Sequence, residues 1–544
     1  PHVTPSNPLV HIQTPKGPTQ SMRRIRGSAL LGLVGATALL LAGCSAAASP
    51  QSSTSATSKP VKGGNLVVAR PFDAISMNKT TTNDSPSLWI TEQIMEPLFT
   101  STDDGKSVTP LLASSYKVSA DKLTYTINLR KGVKFSDGTP MTAKDVKFSI
   151  DEDTKTASTG WGYINSAIDQ VAVVNDSTVQ IKLKYAWAPI LADLALFSNA
   201  IVPDNYGGKT AAEFYTAPVG TGPFKWDTWQ KGQYLKLTKN TNYWQAGKPY
   251  LNSVTWTVVP DANTRKLQLQ GGQIDIDQQP DWSSFSSLKS TPGLTTYAFP
   301  STQMDYMEFN EKVKPFDDIH VRQAISYAID RTALVKAVLY GNGSPANSSL
   351  APGVPFYDKN AAGYTYDLKK AKAELAKSSV PNGFTTTLLI KSGDANQGAV
   401  SQIVQSELAK IGITLNIQQL DPTSNKKARI ASNFDMASAT WTMDIPDPDE
   451  WMSYALDSGN TGSLAHAMGY NDPAIVALNK QAQAEVDPAK RAADYSKLQK
   501  MQNDDASIVT LYYSPYAYAS TDKVQGFNVT PLGNSNFLDV YKTK

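Results

Sequence analysis

The spacing of apolar residues changes along the chain, and that change limits what it can fold into. Leu66-Val67-Val68-Ala69, behind the pair Gly63-Gly64, is a short apolar run that reads as a strand. From residue 85 the spacing is helical. Ile90 and Ile94 are four apart, and Leu88 and Met95 seven apart, as the buried side of one helix requires. Ser85 is the expected N-cap with Pro86 at the first helical position, and Pro97 should end the helix by about Glu96. Leu123-Thr124-Tyr125-Thr126-Ile127-Asn128-Leu129 alternates apolar and polar, the signature of a half-buried strand. Thr142 then opens another helix, with Asp145 at the N3 position. Strands interleaved with helices predict an α/β fold. A chain of 544 residues, at roughly 100–200 per domain, predicts two to four structural units.

Composition removes several functions. Lys and Arg number 51 against 48 Asp and Glu, too even a balance for a nucleic-acid binder, which needs a concentrated basic patch. The single cysteine, Cys44, excludes an internal disulfide and a thiolate metal cluster. The four histidines (His2, His11, His320, His466) are too scattered for a His-based metal site, so neither metal nor cofactor is expected.

The position of Cys44 has a reading of its own. Arg23, Arg24 and Arg26 precede an uncharged, mostly apolar run over 27–42, which ends in Leu41-Ala42-Gly43-Cys44. Sixteen residues are too few to span a membrane but suit the core of a secretory signal. The ending resembles the bacterial lipobox, which implies that Cys44 is lipidated and becomes the mature N-terminus. Residues 1–21, ahead of Met22, read as a non-native or over-extended N-terminus, 22–43 as the signal peptide, and 44–62 as a flexible tether rich in Ser, Ala and Thr. Four of the 51 basic residues lie before Cys44, so a mature chain would carry 47 against 48 acidic.

The stretch Tyr125-Thr126-Ile127-Asn128-Leu129-Arg130-Lys131-Gly132-Val133-Lys134-Phe135-Ser136-Asp137-Gly138-Thr139-Pro140 closely resembles the signature of family 5 extracellular solute-binding proteins. Further matches follow in order: Gly220-Thr221-Gly222-Pro223-Phe224, Asn242-Tyr243-Trp244, Gly272-Gln273-Ile274-Asp275, Pro315-Phe316-Asp317-Asp318, Asp444-Ile445-Pro446-Asp447-Pro448 and Val524-Gln525-Gly526-Phe527. The resemblance spans about residues 63–540. It implies a two-lobed periplasmic-binding-protein-like fold (type II, class C) that closes about a hinge. The first lobe would use 63–310, with an extra subdomain inserted near 111–219, and return through 520–544. The second would span 311–519. Crossings are expected near Glu308-Phe309-Asn310 and in 513–520. Most of these motifs read as scaffold. Asp137-Gly138 and Gly220-Thr221-Gly222-Pro223 are expected tight turns, Val321, Ala324, Ile325, Ala328 and Ile329 core, Asp317 a helix cap, and Arg322 a structural ion-pair partner.

The resemblance also implies a ligand set. In peptide-binding relatives an aspartate at the Asp444 position pairs with the ligand's N-terminal amine, and an aromatic at the Trp441 position walls the pocket. Asp444 could equally be a turn or capping residue in its Asp/Pro-rich loop. Thr442 and Met443 lie between the two, while Asp447, Asp449 and Glu450 are expected to be solvated loop or cap residues. Trp161, between Gly160 and Gly162, reads as a ligand contact, a core residue or a surface aromatic. Phe72 at the rim after the first strand and Tyr306 before the expected hinge are further ligand contacts. Lys391 and Arg429 are the only cations suggested for a ligand carboxylate, against a reading as solvated surface charges.

The expected function is therefore a monomeric substrate-binding lipoprotein of an ABC importer. It would capture oligopeptides or dipeptides in an interlobe cleft and deliver them to a permease and ATPase complex. It would sit on the outer face of the cytoplasmic membrane, or on the periplasmic side where an outer membrane exists. The same fold could instead take an oligosaccharide, a nickel chelate or an opine-like compound. A cell-surface hydrolase has little support: Ser424-x-x-Lys427 lacks companion motifs, and Asp444 and Asp447 are separated by Pro446.

Overall fold

The computed structural model describes residues 59–544 apart from 83 and 158. Cys44, the signal segment and most of the tether lie outside the described residues.

Two sheets organise the body. The first has seven strands, in the order Leu294–Phe299, Tyr516–Thr521, Ile276–Gln278, Asn65–Arg70, Ser253–Val258, Tyr234–Lys239, Phe224–Gln230. Its central strand Asn65–Arg70 pairs in parallel with both neighbours, Leu66 opposite Val254 and Val68 opposite Ile276. The second has six, in the order Ser344–Pro345, Ile508–Tyr513, Met304–Phe309, Met436–Trp441, Thr385–Lys391, Thr414–Leu420. All six residues of Ile508–Tyr513 are buried, as an apolar run covered on both faces should be. A separate four-stranded antiparallel sheet has the order Ala113–Val118, Thr124–Leu129, Thr178–Leu183, Ile168–Asn175. There the period-two alternation of Thr124–Leu129 buries Tyr125, Ile127 and Leu129.

The chain passes from the first sheet to the second through residues 300–303 and returns through 514–515. The outward crossing thus comes earlier than Glu308-Phe309-Asn310. Met304–Phe309 is an interior strand of the second sheet, hydrogen-bonded on both sides, to Met436–Trp441 and Ile508–Tyr513. The two crossings are tied together: Ser301 Oγ donates to the Ser514 carbonyl, and Ser514 Oγ donates to Gln303 Oε1 at 2.9 Å.

Helix ends follow local chemistry, with small shifts from expectation. Helix Ser85–Ile94 is capped by Asp84, whose carboxylate accepts the Ser87 N–H at 3.0 Å, so Ser85 is its first residue rather than its cap. Helix Ala143–Thr154 has the expected capping box between Thr142 and Asp145. Helix Ile319–Ala328 is capped by Asp318, while Asp317 pairs with Lys314. Its residues Val321, Ala324, Ile325 and Ala328 are fully buried, and Arg322 pairs with Glu311.

Gly220 and Gly222 do not form a tight turn. They let the backbone press against the end of helix Ser85–Ile94. A Cβ on Gly220 would lie 2.0 Å from the Ile94 oxygen, which also accepts the Gly222 N–H at 2.8 Å. This contact fixes the C-terminal end of a helix whose other face lines the site.

Candidate functional site

A cavity of about 260 Å³ lies between the two sheets. Helix Ser85–Ile94 forms one wall. Ser85, Leu88, Trp89 and Glu92, spaced i, i+3, i+4, i+7, face the cavity, while Ile90 and Ile94 on the other side are buried in the core. Arg70, at the end of the central strand, and the exposed Phe72 beyond it line the cavity on the same side, with Phe197 and Tyr516. Gln303, Thr442 and Asp444 line it from the side of the second sheet.

Strand Met436–Trp441 delivers Asp444. Past its end, the Met443 N–H donates to Thr302 Oγ at 3.0 Å, pinning the segment to the crossing. Glu450, in the first turn of helix Asp449–Leu456, accepts the Asp444 and Ile445 N–H groups on Oε2 at 2.8 and 3.1 Å. Burial, then the nearby Asp444 carboxyl, holds the Glu450 carboxyl well above its ordinary range. Burial pushes Asp444 up to about 6, opposed by its hydrogen bond with Glu450. Glu450 braces the loop through these two bonds, and burial holds both carboxyls of the pair above their ordinary ranges. Asp444 forms no ion pair with a described lysine, arginine or histidine.

Asp447 and Asp449 are buried and not solvated, while the half-buried Glu450 stands in the first turn of its helix, as the capping alternative expects. Asp447 is 4% exposed and forms a bidentate pair with Arg491 at 2.5 and 2.8 Å. Asp449 is buried and accepts from Ser453 Oγ and Gln483 Nε2. The Pro residues between them make a tight loop whose carboxylates turn inward, where partners from distant helices meet them.

The other expected contacts divide. Thr442 and Phe72 line the cavity with Asp444. Met443 is 1% exposed and packed in the core. Trp441 stacks on Tyr454 at 4.6 Å and donates from Nε1 to Met443 Sδ, so it supports the loop from behind. Tyr306 is also in the core, edge-on to Trp451 at 5.3 Å, because its strand lies in the middle of the second sheet. Trp161 stands one layer behind the wall. Its Nε1 donates to the Thr82 carbonyl at 2.6 Å, and its ring meets the cavity-lining Phe197 edge-on at 5.0 Å. Arg429 is consumed by the buried Glu308, and neither it nor Lys391 reaches the cavity.

Arg70 and Glu92 were not anticipated. The side-chain face Ser85/Leu88/Trp89/Glu92 is visible as helical spacing, but only the fold shows that this face meets a cavity and not solvent. Among the described residues, Arg70 is the only arginine, lysine or histidine lining the cavity. Nη1 donates to the Pro86 carbonyl at 2.8 Å and Nη2 to Asp73 at 3.1 Å, while Nε is buried without a partner.

Contacts across the cleft hold the lobes together. Ile445 packs among Leu88, Ile164, Ala192, Leu196 and Phe197, and the Ala188 N–H donates to the Gln483 carbonyl at 2.8 Å. Among the described residues no group of His, Cys, Asp and Glu could hold a metal ion, and no helix is long and apolar enough to cross a membrane.

This architecture has known counterparts. The profile of bacterial extracellular solute-binding proteins, family 5 Middle, matches residues 107–463. The glutathione-binding protein GsiB of Escherichia coli O6:K15:H31 (strain 536) is 30% identical over 524 residues, 95% of this chain and 99% of its own. Among solved structures, the binding protein DppA of Helicobacter pylori, in complex with peptide STSA, superposes with a TM-score of 0.79 at 30% identity, covering 89% of this chain and 99% of that one. The oligopeptide-binding protein AppA of Bacillus subtilis, in complex with a nonapeptide, gives 0.77 at 28%, covering 89% and 100%. The match over most of the chain, on a two-lobed α/β frame with a cavity at the crossing, places this chain in family 5 of the extracellular solute-binding proteins, the substrate-binding components of ABC importers.

Proposed function

We propose that the chain captures peptides through their free amino terminus, holding them between the lobes as these close about residues 300–303 and 514–515, and hands them to an ABC permease. The observation that carries this reading is Asp444: an ionisable carboxylate on an interlobe cavity, braced by Glu450 and lacking a cation of its own. A desolvated anion in that position favours an ammonium ligand. Trp89, Phe197 and Tyr516 supply apolar and aromatic walls for side chains. The peptides bound by the similar DppA and AppA proteins support the same class.

The test is a thermal-shift screen of the purified protein against di- to nonapeptides, glutathione, xylo-oligosaccharides and an opine, with native mass spectrometry of the protein as isolated. Stabilisation by free-amine peptides is expected. Stabilisation by oligosaccharides alone would reject the reading.

Binding should also depend on pH in a definite direction. The attraction needs ionised Asp444, which burial holds up to about 6. The contribution of Asp444 to affinity for a free-amine peptide should therefore be present above that value and be lost as pH falls through it. Titration calorimetry between about pH 5 and 8 checks this; a flat profile would contradict it.

The lipid anchor at Cys44 belongs to the same proposal and rests on the basic, apolar and Leu41-Ala42-Gly43-Cys44 pattern. Full-length protein expressed in a bacterium should fractionate with membranes, and Cys44→Ala should not. Equal partition of the two proteins would dismiss the anchor.

A further inference from the structure

Glu92 has no role in the reading above, yet it shares the cavity with Asp444. The two carboxylates come from opposite sides, Glu92 from helix Ser85–Ile94 beside the first sheet and Asp444 from the loop beyond the second. Glu92 Oε2 is shielded from solvent and has no hydrogen-bond partner. Such a group is unfavourable, more so when charged, unless something binds it. Nothing on the protein does so. Arg70, the cation on the cavity wall, is committed to Pro86 and Asp73, and Asp73 also accepts from Trp229 Nε1 and the Gly232 N–H. The other titratable groups close by are Glu450, Tyr163 and Tyr516, none of them a cation.

We propose that Glu92 is the second anion of the amine subsite, meeting the bound ammonium from the lobe opposite Asp444, so that the ligand's positive charge bridges the lobes in the closed form. An ammonium has three N–H donors and can serve both carboxylates at once. Without it, closure brings two carboxyl groups toward one another across a desolvated space, which favours the protonated form of Glu92. With it, the same two groups attract a common partner. Burial first, and then the charge of Asp444, push Glu92 up to about 8, as expected of a carboxyl facing another with no cation between them. The consequence is selectivity: a ligand whose amine is acylated leaves two opposed carboxylates unneutralised and should be rejected.

This inference rests on the amine-binding reading, and the experiment separates the two. Trialanine, N-acetyl-trialanine and n-butylamine are titrated into wild-type, Glu92→Gln, Asp444→Asn and double-mutant protein, with thermal shift as a second readout. Gln is close to isosteric with Glu but uncharged, with an NH2 donor in place of one acceptor oxygen. Glu92→Gln should weaken trialanine binding about ten- to a hundredfold. It should also narrow the preference for trialanine over its acetylated form. The double mutant should lose less than the product of the single losses, because both groups hold one ammonium. Wild-type-like affinity in Glu92→Gln, or losses that simply multiply, would overturn the clamp while leaving Asp444 in place. Wild-type protein that binds n-butylamine in a Glu92-dependent way but ignores trialanine would support the clamp and reject peptides. Protein indifferent to both amines would overturn both readings.

Discussion

Replacing Asp444 by alanine is expected to weaken binding of free-amine peptides by about 2–5 kcal/mol, roughly thirty- to several-thousandfold, because it strands a desolvated ammonium. Folding should be largely unaffected. The Asp444 carboxylate makes no ion pair with a described cation, and the backbone contact at this position, the Asp444 N–H to Glu450, survives the change. Calorimetry with a bound peptide and its N-acetylated form decides the matter. The two should differ strongly for wild-type protein and little for Asp444→Ala. Equal affinity of wild type and variant for the free amine would retire Asp444 as the anchor, whatever the family relationship.

Arg491→Ala should have the largest effect on stability. Arg491 forms two hydrogen bonds to the buried Asp447, a third to the Ala482 carbonyl and a fourth to Tyr495 Oη. Truncation leaves an uncompensated carboxylate in the interior, a loss of about 3–5 kcal/mol. The denaturant midpoint should fall accordingly. Asp447 also accepts the Asp449 N–H, so the variant should loosen the loop that presents Asp444 and weaken ligand binding as well. An unchanged midpoint would contradict the account of Asp447 as a buried carboxylate held by Arg491.

Much of the frame is legible from local pattern. The alternation of Thr124–Leu129 and the buried face of helix Ile319–Ala328 follow from residue spacing, because a strand or helix exposes its own period. The capping box at Thr142 follows from two residues three apart. The site was less legible. Asp444, Thr442 and Phe72 reach the cavity, whereas Tyr306 and Met443 are covered by their neighbours and Trp161 stands behind Phe197. Tyr306 was linked to the site by an expected hinge. Ladder hydrogen bonds on both sides of its strand place Tyr306 inside the second sheet, beyond the crossing at residues 300–303. Aromatic residues next to glycine or a presumed crossing carry no information about which ring faces a cleft and which fills a core.

From the sequence alone come the α/β class, the family, the segment bearing Asp444 and the reading of Cys44 as an anchor. These rest on local periodicity, short-range capping and an ordered series of motifs. The tertiary structure decided which charges act together. Glu92 and Asp444 belong to segments far apart in the chain and meet at one cavity, while Asp447, expected to be a solvated loop or cap residue, is buried against Arg491. Coulomb attraction and desolvation depend on distance and burial in space, which no local spacing of residues encodes.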